Sequence, residues 1–306
     1  MRKDFINHLL SYAKNDDRIV LLTGDLGYDV LEQFRVEIPN QFFNFGVAEQ
    51  SLMSIAGGMA KTGLRPFVYS IGNFPTMRCL EQIRNDIVFM ELPVTIVALG
   101  AGFAYGTSGY SHYLIEDFSA LSAFDIDIYS PEGPKSAKIA LDKVLKSERP
   151  AYVRLGRGHE QNSVSAIQSI SSDEIQIPSS TEVVFLSTGP IATEVDKAVL
   201  QLHGKIEALH ITIGEISKLG QVLEAISKLA IPVVTVEEHV LRGRFGSLVL
   251  EMNPNSALNV KRIGIERLNR RLIGSQDFMR CQYGVDADSI IKKTIGFLAE
   301  SKKYNV

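Results

Sequence analysis

Short apolar runs separated by stretches with helical spacing recur along the whole chain, and this alternation restricts the fold more than any other feature. Ile19 to Leu22 reads as a strand of the buried type, and Pro66 to Ser70, Val94 to Leu99 (the most hydrophobic), Ile126 to Tyr129 and Ala151 to Leu155 also read as strands. Between them lie helical patterns. The first is carried by Phe5, Ile6, Leu9, Leu10 and Ala13. The others are Ala48 to Lys61, where Gly57-Gly58 permits close backbone packing, Met77 to Ile87, Ile115 to Ala123, and Pro134 to Leu145. Repeated strand–helix units predict a parallel sheet covered by helices on both faces. A smaller unit repeats the scheme, with strands at Val183 to Leu186, Ile206 to Leu209, Pro232 to Val236 and Val260 to Ile265. Its helices are expected near Ala192 to Leu202, Gln221 to Leu229, Phe245 to Met252 and Ala287 to Leu298. The stretch 158–181 is polar and serine-rich and reads as a linker. The expectation is an α/β chain with two parallel-type sheet domains, helices on both faces of each, over residues 1–157 and 182–306.

Composition narrows the function by exclusion. With 45% hydrophobic residues the chain can build substantial cores. A net charge of -3 with scattered Lys and Arg argues against nucleic acid or an anionic membrane as partner. The two cysteines, Cys79 and Cys281, are far apart and have no metal-like spacing. The N-terminal apolar stretch is too interrupted for a signal peptide, and no run approaches about 18 apolar residues. A soluble cytoplasmic protein is expected.

Parallel sheets bind ligands at the carboxyl ends of their strands. Three segments there carry unusual residues: Thr23-Gly24-Asp25, Asn44-Phe45-Gly46-Val47-Ala48-Glu49-Gln50, and Gly106-Thr107-Ser108-Gly109-Tyr110-Ser111-His112. Glu49 stands where a glycine turn enters a helix. Position alone favours an ordinary acid in a first helical turn, which the helix dipole stabilises.

The surrounding pattern, Asn-x-Gly-Val-Ala-Glu-Gln, resembles the pyrimidine-binding domain of transketolases and 1-deoxy-xylulose-5-phosphate synthases. In that family the glutamate bonds the aminopyrimidine of thiamine diphosphate. A carboxyl group in an apolar pocket shares a proton with the ring nitrogen opposite the exocyclic amine, which turns the amine into the base that activates the thiazolium carbon. The resemblance continues through Val68-Tyr69-Ser70-Ile71-Gly72-Asn73-Phe74 and Met77-Arg78-Cys79-Leu80-Glu81-Gln82-Ile83-Arg84. It implies that Phe74 stacks on the pyrimidine, although Phe74 as plain core is an even alternative. It leaves Arg78 between a cofactor or substrate contact and a pairing with Glu81. A second aromatic common in the family is Ile71 here.

Ser111-His112-Tyr113-Leu114-Ile115-Glu116-Asp117 is similar to the family's Thr-His-Gln-Pro-Ile-Glu-Asp, which implies that His112 contacts the reacting carbonyl and hydroxyl groups. Ser108 stands where transketolases have an aspartate that reads a substrate hydroxyl, and the family's first histidine after the strand is replaced near Gly100. Arg157 falls where the family places a phosphate-binding arginine; a solvated charge at a domain edge is the equal alternative. Asp25 resembles an acid at the cofactor-side subunit contact, with a turn role as its alternative. Thr235-Val236-Glu237-Glu238-His239 and Gly243-Arg244-Phe245-Gly246-Ser247 look like the transketolase C-terminal domain, a structural and associating module.

The diphosphate-binding domain of the family carries Gly-Asp-Gly followed by an Asn pair. Gly24-Asp25-Leu26-Gly27 is not that motif, and no Asn pair follows it. The resemblance therefore implies a split enzyme. An N-terminal partner subunit would bring that domain and hold most of the Mg2+ or Ca2+, in an α2β2 assembly with self-association of this chain. The expected activity is two-carbon ketol transfer from a ketose or its phosphate to an aldose. The alternatives are a pyruvate-using member, of the deoxyxylulose-phosphate synthase type or a 2-oxo acid dehydrogenase β subunit, and a non-catalytic assembly subunit.

Overall fold

The computed structural model describes residues 1–157, 161–163, 175–243, 245–253 and 258–303. Most of the stretch expected as a linker lies outside the described residues.

The chain forms two all-parallel α/β sheets, as the strand–helix alternation predicts. The first sheet contains β1 (Ile19–Thr23), β2 (Phe42–Asn44), β3 (Arg65–Ile71), β4 (Thr95–Leu99), β5 (Asp127–Tyr129) and β6 (Ala151–Leu155), in the spatial order β2-β1-β3-β4-β6-β5. The second contains β7 (Val183–Ser187), β8 (Ala208–Thr212), β9 (Val233–Val240) and β10 (Val260–Ile265), in the order β10-β9-β7-β8. Strands β1, β4, β6 and β7 are buried at every position. That burial is why they are mostly apolar rather than alternating, with Thr23, Thr95, Arg154 and Ser187 as buried polar residues at or near their ends.

Helices cover both faces of the first sheet. On one face α1 (Arg2–Ala13), α2 (Glu32–Glu37) and residues of a later helix, Pro134–Lys146, share a core with Leu21, Phe67, Tyr69, Val97 and Val153. On the other, α3 (Glu49–Lys61), the short α4 (Leu80–Gln82) with its extension, and α5 (Asp117–Leu121) pack on Val20, Leu22, Val68, Ile96 and Ala98. Helix α6 spans Pro134–Lys146. The second sheet is flanked by α7 (Ala192–Leu202), α8 (Leu219–Ser227), α9 (Phe245–Glu251), α10 (Gln276–Tyr283) and α11 (Ala287–Lys303). No helix among the described residues is long and apolar enough to cross a membrane.

Several elements depart from the sequence expectation. Strand β8 starts at Ala208, because the Ile206 N–H still donates to Leu202 O at 3.0 Å and completes the end of α7. The segment expected as one helix from Met77 is a 3-10 turn at Met77–Cys79, then α4, then a wide π turn at Ile83–Val88. Gly57 of α3 abuts this π turn so closely that a Cβ there would lie 2.6 Å from Asp86 O. Gly58 faces open space, so only the first glycine of the pair serves packing. Helices α2 and α10 and strand β2 have no counterpart in the periodicity, because each is short.

The two sheets are joined by buried polar contacts. Glu238 of β9 accepts from the Phe103 N–H at 2.9 Å and from Arg280 of α10 at 2.7 Å. Asp117 accepts from Tyr152 (2.7 Å) and Arg154 (2.9 Å), and His239 Nε2 lies 3.6 Å from its other oxygen. Phe103, Tyr113 and Ile115 share a core with Ile265 and Met279. The loops after β4 are thus held from the second sheet.

Candidate functional site

The chain runs from β1 outward to β2 and then crosses back to β3 on the other side of β1. A crevice opens where strand order reverses like this, at the carboxyl ends of the strands. The ends of β1, β2 and β3 lead into Gly24-Asp25, Asn44 and Gly72-Asn73-Phe74, so three distant segments meet there.

Glu49 is the first residue of α3 and is 3% exposed. The Ala48 side chain offers no cap, so the carboxylate of the first turn offsets the helix dipole. Gly24 allows a close approach of the β1 and β2 turns: a Cβ at residue 24 would stand 3.1 Å from Gly46 O, and in ordinary contact, 3.8 Å, with Glu49 Oε1. Arg78 donates to Glu49 Oε2 at 2.6 Å, and its guanidinium carbon sits 4.7 Å from the centre of the Phe74 ring. The pairing of Arg78 is thus with Glu49 rather than Glu81. Phe74 in turn meets the His112 ring edge to face, with centroids 5.5 Å apart. Ser111 Oγ lies 3.0 Å from His112 Nδ1 and fixes the imidazole so that Nε2 is the free end.

Glu49, Arg78, Phe74 and His112 therefore form one continuous cluster. Asp25 adjoins it at a left-handed φ of 57°, its N–H held by Asn44 Oδ1 at 2.9 Å; the same oxygen accepts from the Gly46 N–H at 3.0 Å. Asp25 itself is exposed. Ser108 and Arg157 form a second group at the ends of β4 and β6. The Ser108 N–H donates to Tyr105 O at 2.9 Å, and the Arg157 guanidinium lies 5.1 Å from the centre of the Tyr105 ring. Both side chains are exposed.

Two residues that lie in the motif segments are given no role by the sequence and gain one in the structure. Asn73 donates through Nδ2 to Ser111 O (3.1 Å) and Tyr113 O (2.6 Å), clasping the backbone on either side of His112. Asn44 ties the β1 and β2 turns together as above. Asn44 heads the Asn-x-Gly-Val-Ala-Glu-Gln pattern and Asn73 lies in the Val68 to Phe74 segment, but neither pattern tells which backbone groups the amide bonds. Cys79 lies beneath the cluster and donates to Phe74 O at 3.3 Å; burial, then the charge of Glu49, pushes its thiol up to about 12. Burial also raises the Glu116 carboxyl. Among the large apolar side chains that stand in solvent near the cluster, Val47 (74%) and Tyr28 (73%) are the most exposed.

The chain matches the family "Transketolase, pyrimidine binding domain" over residues 1–161. The chain belongs to the transketolase family. A Methanocaldococcus jannaschii protein named as a transketolase C-terminal section is 32% identical over 99% of this chain and 96% of its own length. One of the subunits of the apulose-4-phosphate transketolase of Phocaeicola vulgatus is 29% identical over 97% of each chain. Among solved structures, a split-gene transketolase in the form of an inactive beta4 tetramer superposes with a TM-score of 0.81, at 25% identity and over 97% of each chain. The chain is thus a subunit of a thiamine diphosphate-dependent transketolase-type transferase, and the Glu49 cluster lies within the matched pyrimidine-binding region.

Proposed function

We propose that this chain supplies the pyrimidine side of a two-chain active site. The complete enzyme moves a two-carbon ketol unit from a ketose, in free or phosphorylated form, to an aldose. On this reading residues 1–157 are the pyrimidine-binding domain, 158–181 the linker and 182–306 the C-terminal domain. The partner chain brings the diphosphate-binding domain and most of the contacts to Mg2+ or Ca2+, and the assembly is α2β2. The names of the relatives support the division of labour, one being a C-terminal section and another a single subunit of its transketolase. The inactive beta4 tetramer supports self-association without the partner. The exposed Val47 and Tyr28 beside the site suit a surface that the partner covers.

The observation that carries the proposal is the buried carboxylate of Glu49 at the start of α3, joined through the Arg78 guanidinium to the flat face of Phe74. These residues fit an aminopyrimidine: a carboxylate for the ring edge and an aromatic face for stacking. When bound, thiamine diphosphate supplies the carbon nucleophile. Glu49 holds the proton shared with the ring and keeps water from it. Phe74 fixes the plane of the ring. His112 donates or accepts a proton at the carbonyl and hydroxyl oxygens of the sugar, positioned by Ser111 and Asn73. Arg157 anchors a substrate phosphate, Ser108 faces a sugar hydroxyl, and Asp25 contacts the cofactor side of the partner.

The test is reconstitution with a partner subunit carrying Gly-Asp-Gly, followed by assay of two products. Ketol transfer from ketose phosphates to aldoses, with no turnover by this chain alone, supports the proposal. Carbon dioxide release from pyruvate without ketol transfer refutes it in favour of a pyruvate-using enzyme. Turnover by the isolated chain with cofactor and metal refutes the split site.

A further inference from the structure

The guanidinium of Arg78 makes the two contacts that the reading above gives to the cofactor ring. It donates to Glu49 at 2.6 Å and lies over Phe74 at 4.7 Å. The two groups are chemically alike. Each is flat and delocalised, and each can place a nitrogen-borne proton against the Glu49 carboxylate, the guanidinium one of its own N–H groups and the ring the proton that its nitrogen shares with Glu49. A ring stacked on Phe74 with its edge on Glu49 and the guanidinium as placed here would need the same space.

The partners differ in their freedom to leave. The Glu49 side chain is 4% exposed, whereas that of Arg78 is 44% exposed. An ionised carboxylate with little access to water is costly without a partner, while a half-solvated guanidinium swings into water with little loss. The backbone of Arg78 is held separately, since Gln50 Nε2 donates to Arg78 O at 3.2 Å. A change of side-chain rotamer is then enough to clear the pocket.

We propose that Arg78 is a placeholder: in the cofactor-free chain it neutralises Glu49 and covers Phe74, and the arriving aminopyrimidine displaces its side chain into solvent. The inference rests on the thiamine diphosphate reading of the site. It makes cofactor loading a competition, in which the occupancy of the pocket by Arg78 lowers the apparent affinity.

Calorimetric titration of thiamine diphosphate, at saturating Mg2+, into the chain assembled with its partner subunit separates the possibilities. Arg78→Ala should bind the cofactor about three- to thirty-fold more tightly than wild type, the occupancy that a partly exposed ion pair and one cation–π contact sustain. Arg78→Lys, which keeps the charge without the flat edge, should fall between them. Unchanged or weaker binding by Arg78→Ala overturns the placeholder. Glu49→Gln is the control for the reading beneath it. If that variant binds weakly and Arg78→Ala shows no gain, only the placeholder fails. If Glu49→Gln binds like wild type, or wild type binds no cofactor, the assignment of the pocket itself fails and the placeholder with it.

Discussion

Replacing Glu238 by Ala should destabilise the protein strongly, although this glutamate lies in the second sheet and outside the Glu49 cluster. Glu238 is 4% exposed and accepts from four donors: the Phe103 N–H, Gln276 Nε2, and Nε and Nη2 of Arg280. Removal of one partner of a buried ion pair costs about 3–5 kcal/mol, because the other charge stays buried. Arg280 keeps a weaker contact to Glu194 at 3.6 Å, which places its loss at the low end of that range. The orphaned Phe103 N–H adds about 1 kcal/mol or more. A total of about 4 kcal/mol corresponds to roughly 8 °C in the unfolding midpoint, at about 2 °C per kcal/mol for a chain of this size. Glu238→Gln retains an acceptor for the peptide and should lose about half as much. The effect should also reach the site, because Phe103 packs edge to face on Tyr113, the neighbour of His112, at 5.2 Å. The assay is thermal unfolding followed by circular dichroism, paired with ketol transfer by the assembled enzyme. A midpoint shift under about 2 °C for Glu238→Ala, equivalent to about 1 kcal/mol, refutes the argument that this carboxylate joins the sheets.

Four further outcomes are expected. Glu49→Gln should lower ketol transfer about 10²- to 10⁴-fold while moving the unfolding midpoint little, since its ion-pair partner is half in water; activity near wild type would mark an assembly subunit instead. Asn73→Ala should reduce kcat about ten-fold by releasing the backbone around His112 (a local loss of about 1.4 kcal/mol), and Asn73→Asp should do worse, because it sets a carboxylate against two carbonyl oxygens; equal activity for all three proteins refutes the clasp. At pH 8 a thiol reagent should label Cys281, which is exposed, and spare Cys79, which is buried. The Cys79 thiol is raised from 9.0 to about 12, so its contribution to stability is complete below pH 9 and is lost as pH climbs toward 12. Alkaline melting of wild type against Cys79→Ala measures that loss, and parallel curves would refute it.

The sequence by itself determined the architecture and the candidate chemistry. Strands such as Val94 to Leu99 are buried on both faces, and that environment favours runs of mostly apolar side chains, so the parallel sheets were legible in the order of residues. Glu49, Phe74 and His112 were legible because each sits in a local pattern at the end of a strand or the start of a helix. What only the tertiary structure decided is which of these residues touch. The pairing of Arg78 with Glu49, the clasp of Asn73 around His112 and the tie from Glu238 to Phe103 link residues 29, 38, 40 and 135 positions apart. Contacts across such separations depend on strand order and on the reversal beside β1. Hydrophobic periodicity reports which face of an element is buried but carries no information about its neighbour.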